Sequence, residues 1–170
     1  MKLRFISFLT LFAISAGAFG QEPSPVTIRE ADIVFNRIET AMRTVLKLPK
    51  LKAEVRQVQR PITRNEVILR LDKMFEAIKS KFQYTPRPFK TNEKVLNRYN
   101  SDPEIRKKLL RLVKYGCVAP VGPLVVGSSD AVSMKDFGDA LGYFMSQMAF
   151  LTYYADPKWT PNLQNSGDGA

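Results

Sequence analysis

The stretch RPITRNEVILRL, residues 60–71, decides the fold class because it contains a complete helix start. Thr63 and Glu66 form a capping box, in which the threonine hydroxyl accepts the amide of the third helical residue and the glutamate reaches back to the threonine amide. A helix is therefore predicted over residues 64–81, ending before the prolines of YTPRP. One face carries the apolar residues Val67, Ile68, Leu71, Met74, Phe75 and Ile78, and the opposite face Arg70, Asp72, Lys73, Glu76 and Lys79.

The same kind of helix start occurs three more times along the chain. Each pairs a serine or threonine with an acid three residues later and precedes an apolar periodicity of the same kind. The pairs are Thr27 with Glu30, Ser101 with Glu104, and Ser133 with Asp136. The corresponding helices are predicted over residues 28–46, 102–115 and 134–154. The predicted fold class is therefore all-α, a small bundle of two helix-loop-helix units.

Three weaker predictions concern the remaining segments. A short apolar run between glycines and proline predicts an extended segment near residues 124–126. Residues 91–99 have the pattern of a short fifth helix. Small residues four apart in the last helix, Gly138, Gly142 and Ser146, predict close packing against another helix, since glycine inside a helix otherwise costs stability.

The first twenty residues have the features of a secretory signal, with a basic start, an apolar middle and small residues at Ala18 and Gly20. The alternative is a retained anchor, but the apolar run is short for a membrane span of roughly 20 residues. We expect residues 1–20 to be removed, leaving a single helical domain over 21–155, a mobile polar tail over 156–170, and no transmembrane segment. The expected location is secreted: periplasm, cell envelope or cell surface.

The composition limits the chemistry open to this chain. It has no histidine, the commonest general base and metal ligand, and its one cysteine, Cys117, cannot form an intramolecular disulfide or a thiolate cluster. Between Gly116 and Val118, Cys117 is expected to be a buried small apolar residue, with pairing between chains as the alternative. The acids noted above serve as cap partners, so no acid pair is singled out for glycan hydrolysis. We expect no enzymatic activity, no metal and no cofactor.

The charge balance favours anionic partners. Removal of Lys2 and Arg4 with the signal leaves 24 basic residues against 16 acidic ones, a net charge of +8. Such a charge suits cell-wall polymers, lipid head groups or nucleic acid, and export makes nucleic acid the least favoured of the three. A basic surface that only aids solubility is the alternative.

The segment PITRNEV, residues 61–67, is similar to the I-T-R-A-E-hydrophobic motif that begins the second helix of S-layer homology repeats. A weaker copy is AVSMKDFGDAL, where Ser133, Met134 and Asp136 replace the threonine, arginine and glutamate. The preceding DPEIRKKLLRLVKYGCV resembles the first helix of such a repeat. The chain thus resembles two degenerate repeats, over about residues 27–82 and 100–152, and no third repeat is recognised in the sequence.

This resemblance implies a helical domain that holds cell-wall polysaccharide, usually in the grooves of a spindle of three repeats. It implies that Arg64, with Thr63 beside it, contributes to a groove for an anionic polymer, and Lys135 is the nearest cation in the second copy. Arg64 lies in a first helical turn, where exposed amides favour an anion and a guanidinium can hold a carboxylate or phosphate with two hydrogen bonds. Thr63, Arg64 and Lys135 are the predicted ligand-binding residues; the alternative is that both cations are simply solvated.

The expected function is therefore that of a non-catalytic cell-envelope protein that binds anionic cell-wall glycan, or a polymer linked to peptidoglycan, for attachment or scaffolding. The alternative is an exported helical module that binds an envelope protein or its own copy, without glycan binding. Whether two units suffice, or a homo-oligomer completes the usual three repeats, is left open by the sequence.

Overall fold

The structure is a computed structural model that describes residues 24–83, 85–86, 94, 102–127 and 129–152. Helix is the only regular secondary structure in these ranges, which confirms the all-α class. The helices are α1 (Ile28–Val45), α2 (Arg64–Ile78) with a 3₁₀ turn (Lys79–Lys81), α3 (Pro103–Lys114), α4 (Pro123–Val126) and α5 (Met134–Leu151). The predicted signal, the polar tail and, Lys94 aside, the fifth helix lie outside the described residues.

Two predictions of local secondary structure are wrong. Residues 124–126 are not extended: they belong to the single helical turn α4, because Pro123 at a first helical position favours a helix start and the Val125 and Val126 amides donate to the Gly122 carbonyl. Helix α3 has Asp102 as its N-cap, one residue after the predicted cap Ser101, which lies outside the described residues. The Asp102 carboxylate accepts the amides of the second and third helical residues, and aspartate is as good an N-cap as serine.

Three extended segments, residues 25–27, 61–63 and 131–133, join the starts of α1, α2 and α5 into a closed ring. Their sequences are PVT, PIT and AVS, and an antiparallel bridge links every pair of them. The Val26 amide donates to the Val132 carbonyl (2.9 Å), the Val132 amide to the Ile62 carbonyl (3.1 Å), and the Ile62 amide to the Val26 carbonyl (2.8 Å). Because each segment donates once and accepts once, the ring of hydrogen bonds closes on itself.

A second set of hydrogen bonds repeats this relation outside the ring. The first amide of each of the three helices donates to the carbonyl that precedes a neighbouring ring segment, which satisfies one of the donors left over at a helix start. The bonds run from Ile28 to Arg60 (3.0 Å), from Arg64 to Asp130 (2.9 Å) and from Met134 to Ser24 (3.0 Å). The three helix starts are thus related by an approximate threefold repetition.

PVTIRE at residues 25–30 is thus a third equivalent of PITRNE and AVSMKD in the ring, in addition to the two motif copies identified in the sequence. The capping chemistry is the same in all three. Thr27 and Thr63 accept the amides of Glu30 and Glu66 in complete capping boxes, and the Ser133 hydroxyl accepts the amide of Asp136. The first copy is hard to recognise in the sequence because an isoleucine follows its threonine where the second copy has arginine.

The aromatic residues of the core connect the helices above the ring. Phe35 of α1 meets Phe137 of α5 edge to face, with ring centroids 5.3 Å apart. Phe75 of α2 contacts Phe82 and Tyr115 in the same manner, at 5.3 and 4.9 Å. The first contact joins α1 to α5, and the contact with Tyr115 joins α2 to the end of α3.

Cys117 is buried, as predicted. Burial raises the pKa of its thiol well above the ordinary value, so the side chain stays protonated near neutral pH. A buried thiol of this kind is inert, because the thiolate is the reactive form.

Buried acids fix the segments that surround α2. Asp72, predicted on the face opposite the apolar residues, is only 4% exposed and accepts hydrogen bonds from Arg111 Nε (3.1 Å) and Lys108 Nζ (3.3 Å) of α3. On α1, Asp32 is buried and accepts Nε and Nη2 of Arg56, both at 2.9 Å. The hydrogen bonds from the Arg56 guanidinium hold the pKa of Asp32 below its ordinary value. Asp72 thus ties α2 to α3, and Asp32 ties the linker between α1 and α2 to α1, while Lys73, Glu76 and Lys79 of the polar face of α2 stay exposed.

The close packing predicted for the small residues of α5 is wrong. Gly138 and Gly142 are exposed, and a β-carbon added at either would meet no atom within 4 Å among the described residues. The buried face of α5 is formed instead by its large apolar residues Phe137, Leu141, Phe144, Met148 and Leu151. The two glycines are therefore not explained by helix packing.

Candidate functional site

Arg64 borders a cleft of about 300 Å³ between the start of α2, the turn α4 and the start of α5. Its side chain is half-buried, and its Nη1 donates to the Gly127 carbonyl at 2.8 Å, immediately after α4. Ser129, Ala131 and Asp136 line the far side of the cleft. Arg64 thus lies between its own helix start and the next one in the ring.

Gly127 is needed there for space. A β-carbon at this position would lie 2.4 Å from the Pro123 carbonyl oxygen and 3.2 Å from Arg64 Cδ. The backbone φ of −62° is open to any residue, so glycine is required chiefly by the close approach of the Pro123 carbonyl, with the Arg64 side chain also in tight contact. In the sequence, Gly127 is recognisable only as one of the residues that bound a short apolar run. Nothing in its local pattern points to Arg64.

Thr63 is committed to the helix cap. Its hydroxyl accepts the Glu66 amide at 3.2 Å and lies 3.1 Å from a Glu66 carboxylate oxygen, to which it can donate. Thr63 therefore positions Arg64 by fixing the first turn of α2, and the cleft is lined by its neighbour.

Lys135 does not line the cleft. Its ammonium is 72% exposed and pairs with Asp139 at 2.8 Å on the outside of α5. Under the threefold relation Lys135 corresponds to Asn65, and the residue equivalent to Arg64 is Met134. The structure therefore brings Arg64 to a cleft and leaves Lys135 on an open surface.

Glu66 is the most strongly perturbed of the cap acids. Arg60 holds its carboxylate through Nη1 (2.9 Å) and Nη2 (2.8 Å), and Thr63 adds backbone and hydroxyl hydrogen bonds. These contacts, chiefly the Arg60 hydrogen bonds, lower the pKa of Glu66 from 4.5 to about 2. The charged form is therefore an integral part of this helix start.

Because the pKa of Glu66 is lower in the folded chain than in the unfolded one, its contribution to stability is present above about pH 4.5 and is lost as the pH falls towards 2. We expect the urea midpoint of the wild type to fall more steeply with pH in this window than that of Glu66→Gln, which keeps a capping-box side chain without the charge. Equal slopes for the two proteins would show that the Arg60 pairing does not persist in solution. Glu30 and Asp32 also have lowered pKa values, so they contribute equally to the pH dependence of the urea midpoint in the wild type and in Glu66→Gln.

The described residues contain no cluster of His, Cys, Asp and Glu side chains arranged to hold a metal ion. None of the helices described is both long enough and apolar enough to cross a membrane. No protein-family model, no curated protein and no solved structure matches this chain.

Proposed function

We propose that this protein is a non-catalytic envelope protein that attaches to anionic cell-wall glycan through an S-layer-homology-like helical domain. The observation that carries the proposal is the closed ring, which gathers PVTIRE, PITRNE and AVSMKD at one end of the bundle. Three such helix starts in one chain agree with the three repeats that the resemblance implies for a spindle. A second copy of the chain is then not needed to complete the set.

The chemistry at Arg64 supports an anionic ligand. A cation in the first turn of a helix faces the positive end of the helix dipole, so helix stability alone does not favour an arginine there. An anion in the cleft would be attracted by the guanidinium and by the start of α2 together. Asp136 also lines the cleft, and its carboxylate would repel an anion there. This carboxylate accepts a hydrogen bond from the Ser133 hydroxyl (2.9 Å), which holds it at the helix cap.

The expected export of the chain also supports this function. A leader over residues 1–20 would deliver a basic protein, of net charge +8 after cleavage, to the compartment that holds anionic wall polymers. The lack of histidine and of any singled-out acid pair favours attachment over wall cleavage.

Co-sedimentation with purified sacculi tests the proposal, with secondary polymers retained or stripped. We expect Arg64→Ala to weaken binding about tenfold, because a hydrogen bond to a charged group contributes about 1.5–3 kcal/mol. Lys135→Ala is the matched control: it removes one charge from the start of an equivalent helix but not from the cleft, and should bind as the wild type does.

The salt series separates specific binding from general attraction. At about 0.15 M salt, surface charges more than about 8 Å apart are screened. Binding that persists at this salt concentration and depends on Arg64 supports a ligand site in the Arg64 cleft. Equal loss in both variants, or loss with modest salt alone, would contradict it. Melting temperatures of both variants confirm that each remains folded.

The alternative function, an exported module that binds its own copy or another protein, is favoured by one different observation. Met42 and Val45 of α1 and Met145 and Met148 of α5 line an apolar groove of about 280 Å³. Methionine-rich surfaces adapt readily to a partner. This function predicts no retention by sacculi and a self-association that Met145→Lys abolishes in sedimentation velocity.

A further inference from the structure

A second cleft, of about 280 Å³, lies between α1, α2 and the linker that joins them, on a different side of α2 from Arg64. Arg70, which lines this cleft, follows Arg64 by six residues. At the rise and rotation of an α-helix it lies about 9 Å further along the axis and about 120° around it. Because of this separation, substitutions can address one cleft without the other.

The linker wall of this second cleft is held in place by the protein itself. Asn36 Nδ2 donates to the Glu54 carbonyl (2.8 Å), and Arg43 Nη1 donates to the Pro49 carbonyl (3.0 Å). The pair of Asp32 with Arg56 fixes the next part of the linker on α1. The cleft is therefore formed before any ligand arrives, which lowers the ordering cost of binding.

Arg70 lines the second cleft and has hydrogen-bond donors that no described residue uses. Its guanidinium lies over the Phe35 ring (5.8 Å) and is held by Asn36 Oδ1 (2.7 Å) and the buried carboxylate of Glu39 (3.6 Å), both through Nη2. No described residue accepts a hydrogen bond from Nη1 or Nε, and Nε is closed off from solvent. The side chain is thus fixed in position while Nη1 keeps its capacity to bind an acceptor.

The rest of the lining adds positive charge and neutral polar groups. Lys73 lies one turn further along α2 and Lys52 lies across the cleft; neither forms an ion pair with a described residue. The Thr40 hydroxyl is likewise not engaged by any described residue. With Arg43 and Arg70, the described part of the lining has four cations against the two acids Glu39 and Glu54, so it attracts negative charge.

We propose that the second cleft binds one acidic sugar unit, a monosaccharide that carries a carboxylate or phosphate. The anion lies against Arg70 Nη1 and Lys73, and the sugar hydroxyls meet Thr40 and the backbone of the linker. The volume lies just below the range of about 300–1,000 Å³ for larger ligands, which limits the occupant to about one unit. Among the described residues the lining has no aromatic side chain on which a base would stack, which disfavours a nucleotide.

This inference rests on the proposed function, because the acidic sugar is taken to be a unit of the same wall polymer. The second cleft is then a further contact between the protein and that polymer. Two clefts on different sides of α2 would let successive acidic units engage the protein together. Binding at both raises the apparent affinity through effective concentration, without either contact being tight.

NMR titration of the purified ¹⁵N-labelled protein with glucuronate tests the proposal, with glucose and inorganic phosphate as comparison probes. We expect shifts confined to the second cleft and a Kd of about 1 mM, the range for a ligand of this size. The double variant Lys52→Gln with Lys73→Gln should bind about tenfold more weakly. The control is Lys107→Gln with Lys114→Gln, which removes the same charge from exposed positions on α3 and should bind as the wild type does.

Three other outcomes would overturn the proposal. Equal weakening in the two double variants would show general charge attraction, and glucose binding as well as glucuronate would show that the cations have no role. Phosphate alone binding as tightly as glucuronate would exclude recognition of the sugar. Comparison of sacculus and glucuronate binding separates this proposal from the proposed function. If Arg64→Ala loses sacculus binding but still binds glucuronate, both clefts are supported. If the wild type binds glucuronate but no sacculi, the proposed function is refuted and the sugar site in the second cleft is retained.

Discussion

Replacement of Phe75 by alanine is expected to lower the free energy of unfolding by about 3–5 kcal/mol, the range for removing a buried phenylalanine. The side chain has no solvent exposure and lies near the C-terminal end of α2. Its ring contacts Phe82 and Tyr115 edge to face, and the Arg111 guanidinium lies 5.8 Å from its centroid. Alanine leaves a cavity between α2 and α3 and removes these aromatic contacts together. Urea unfolding followed by far-UV circular dichroism measures the loss.

Leu69→Ala is the matched control on the same helix. Leu69 is 43% exposed, so its truncation removes little buried area, and we expect a loss of about 0.5 kcal/mol. Domains of this size are stable by only about 5–15 kcal/mol, so the Phe75 variant should be clearly separated from the control. Similar losses for both variants would mean that α2 does not bury the face assigned to it.

Helix starts were predictable because capping is local. Thr27, Thr63 and Ser133 each contact an acid three residues away, and all three caps form as expected. The error at α3 is of the same local kind, since Asp102 and Ser101 are both good caps and only the folded backbone selects between them. The error at residues 124–126 arose because three apolar residues are too few for periodicity to distinguish helix from strand.

The ring was not predictable, because its bonds join distant parts of the chain. The Ile62 amide reaches Val26, and the Val132 amide reaches Ile62. No local pattern encodes these pairings, although the likeness of PVT, PIT and AVS is visible once they are known. The contact of Arg64 with Gly127 is equally distant in sequence. Lys135 was assigned as the counterpart of Arg64 because the residue in the equivalent position, Met134, is not a cation.

Charged residues in the interior were also missed. The spacing of Asp72 places it on the polar face of α2, which is correct, but periodicity cannot show that Arg111 and Lys108 of α3 bury this one carboxylate. Likewise Glu39 on α1 is buried beneath Arg43 and Arg70. Helical pattern identifies which residues share a face, whereas the identity of the segment that packs on it depends on the tertiary fold. The second cleft follows from such a tertiary arrangement.

Ile62→Asp is expected to have the largest effect of any single substitution considered, abolishing the cooperative fold near neutral pH. Ile62 is 1% exposed at the ring, among the equally buried Val26 and Val132. A carboxylate there would lose its water without gaining a cation, and an isolated buried charge costs more than the stability of a typical domain. We expect the near-UV circular dichroism signal and the urea transition to disappear at pH 7.

Ile62→Val is the matched control for this prediction, because valine occupies the other two ring positions. It removes one methylene group and should cost only about 0.5–1.5 kcal/mol, leaving the transition cooperative. If the aspartate variant kept a native near-UV spectrum and a melting temperature close to that of the valine variant, the ring centre would be open to water. The hydrogen bonds that gather the three helix starts would then be exposed to solvent competition, and the ring would not be the element that fixes the Arg64 cleft.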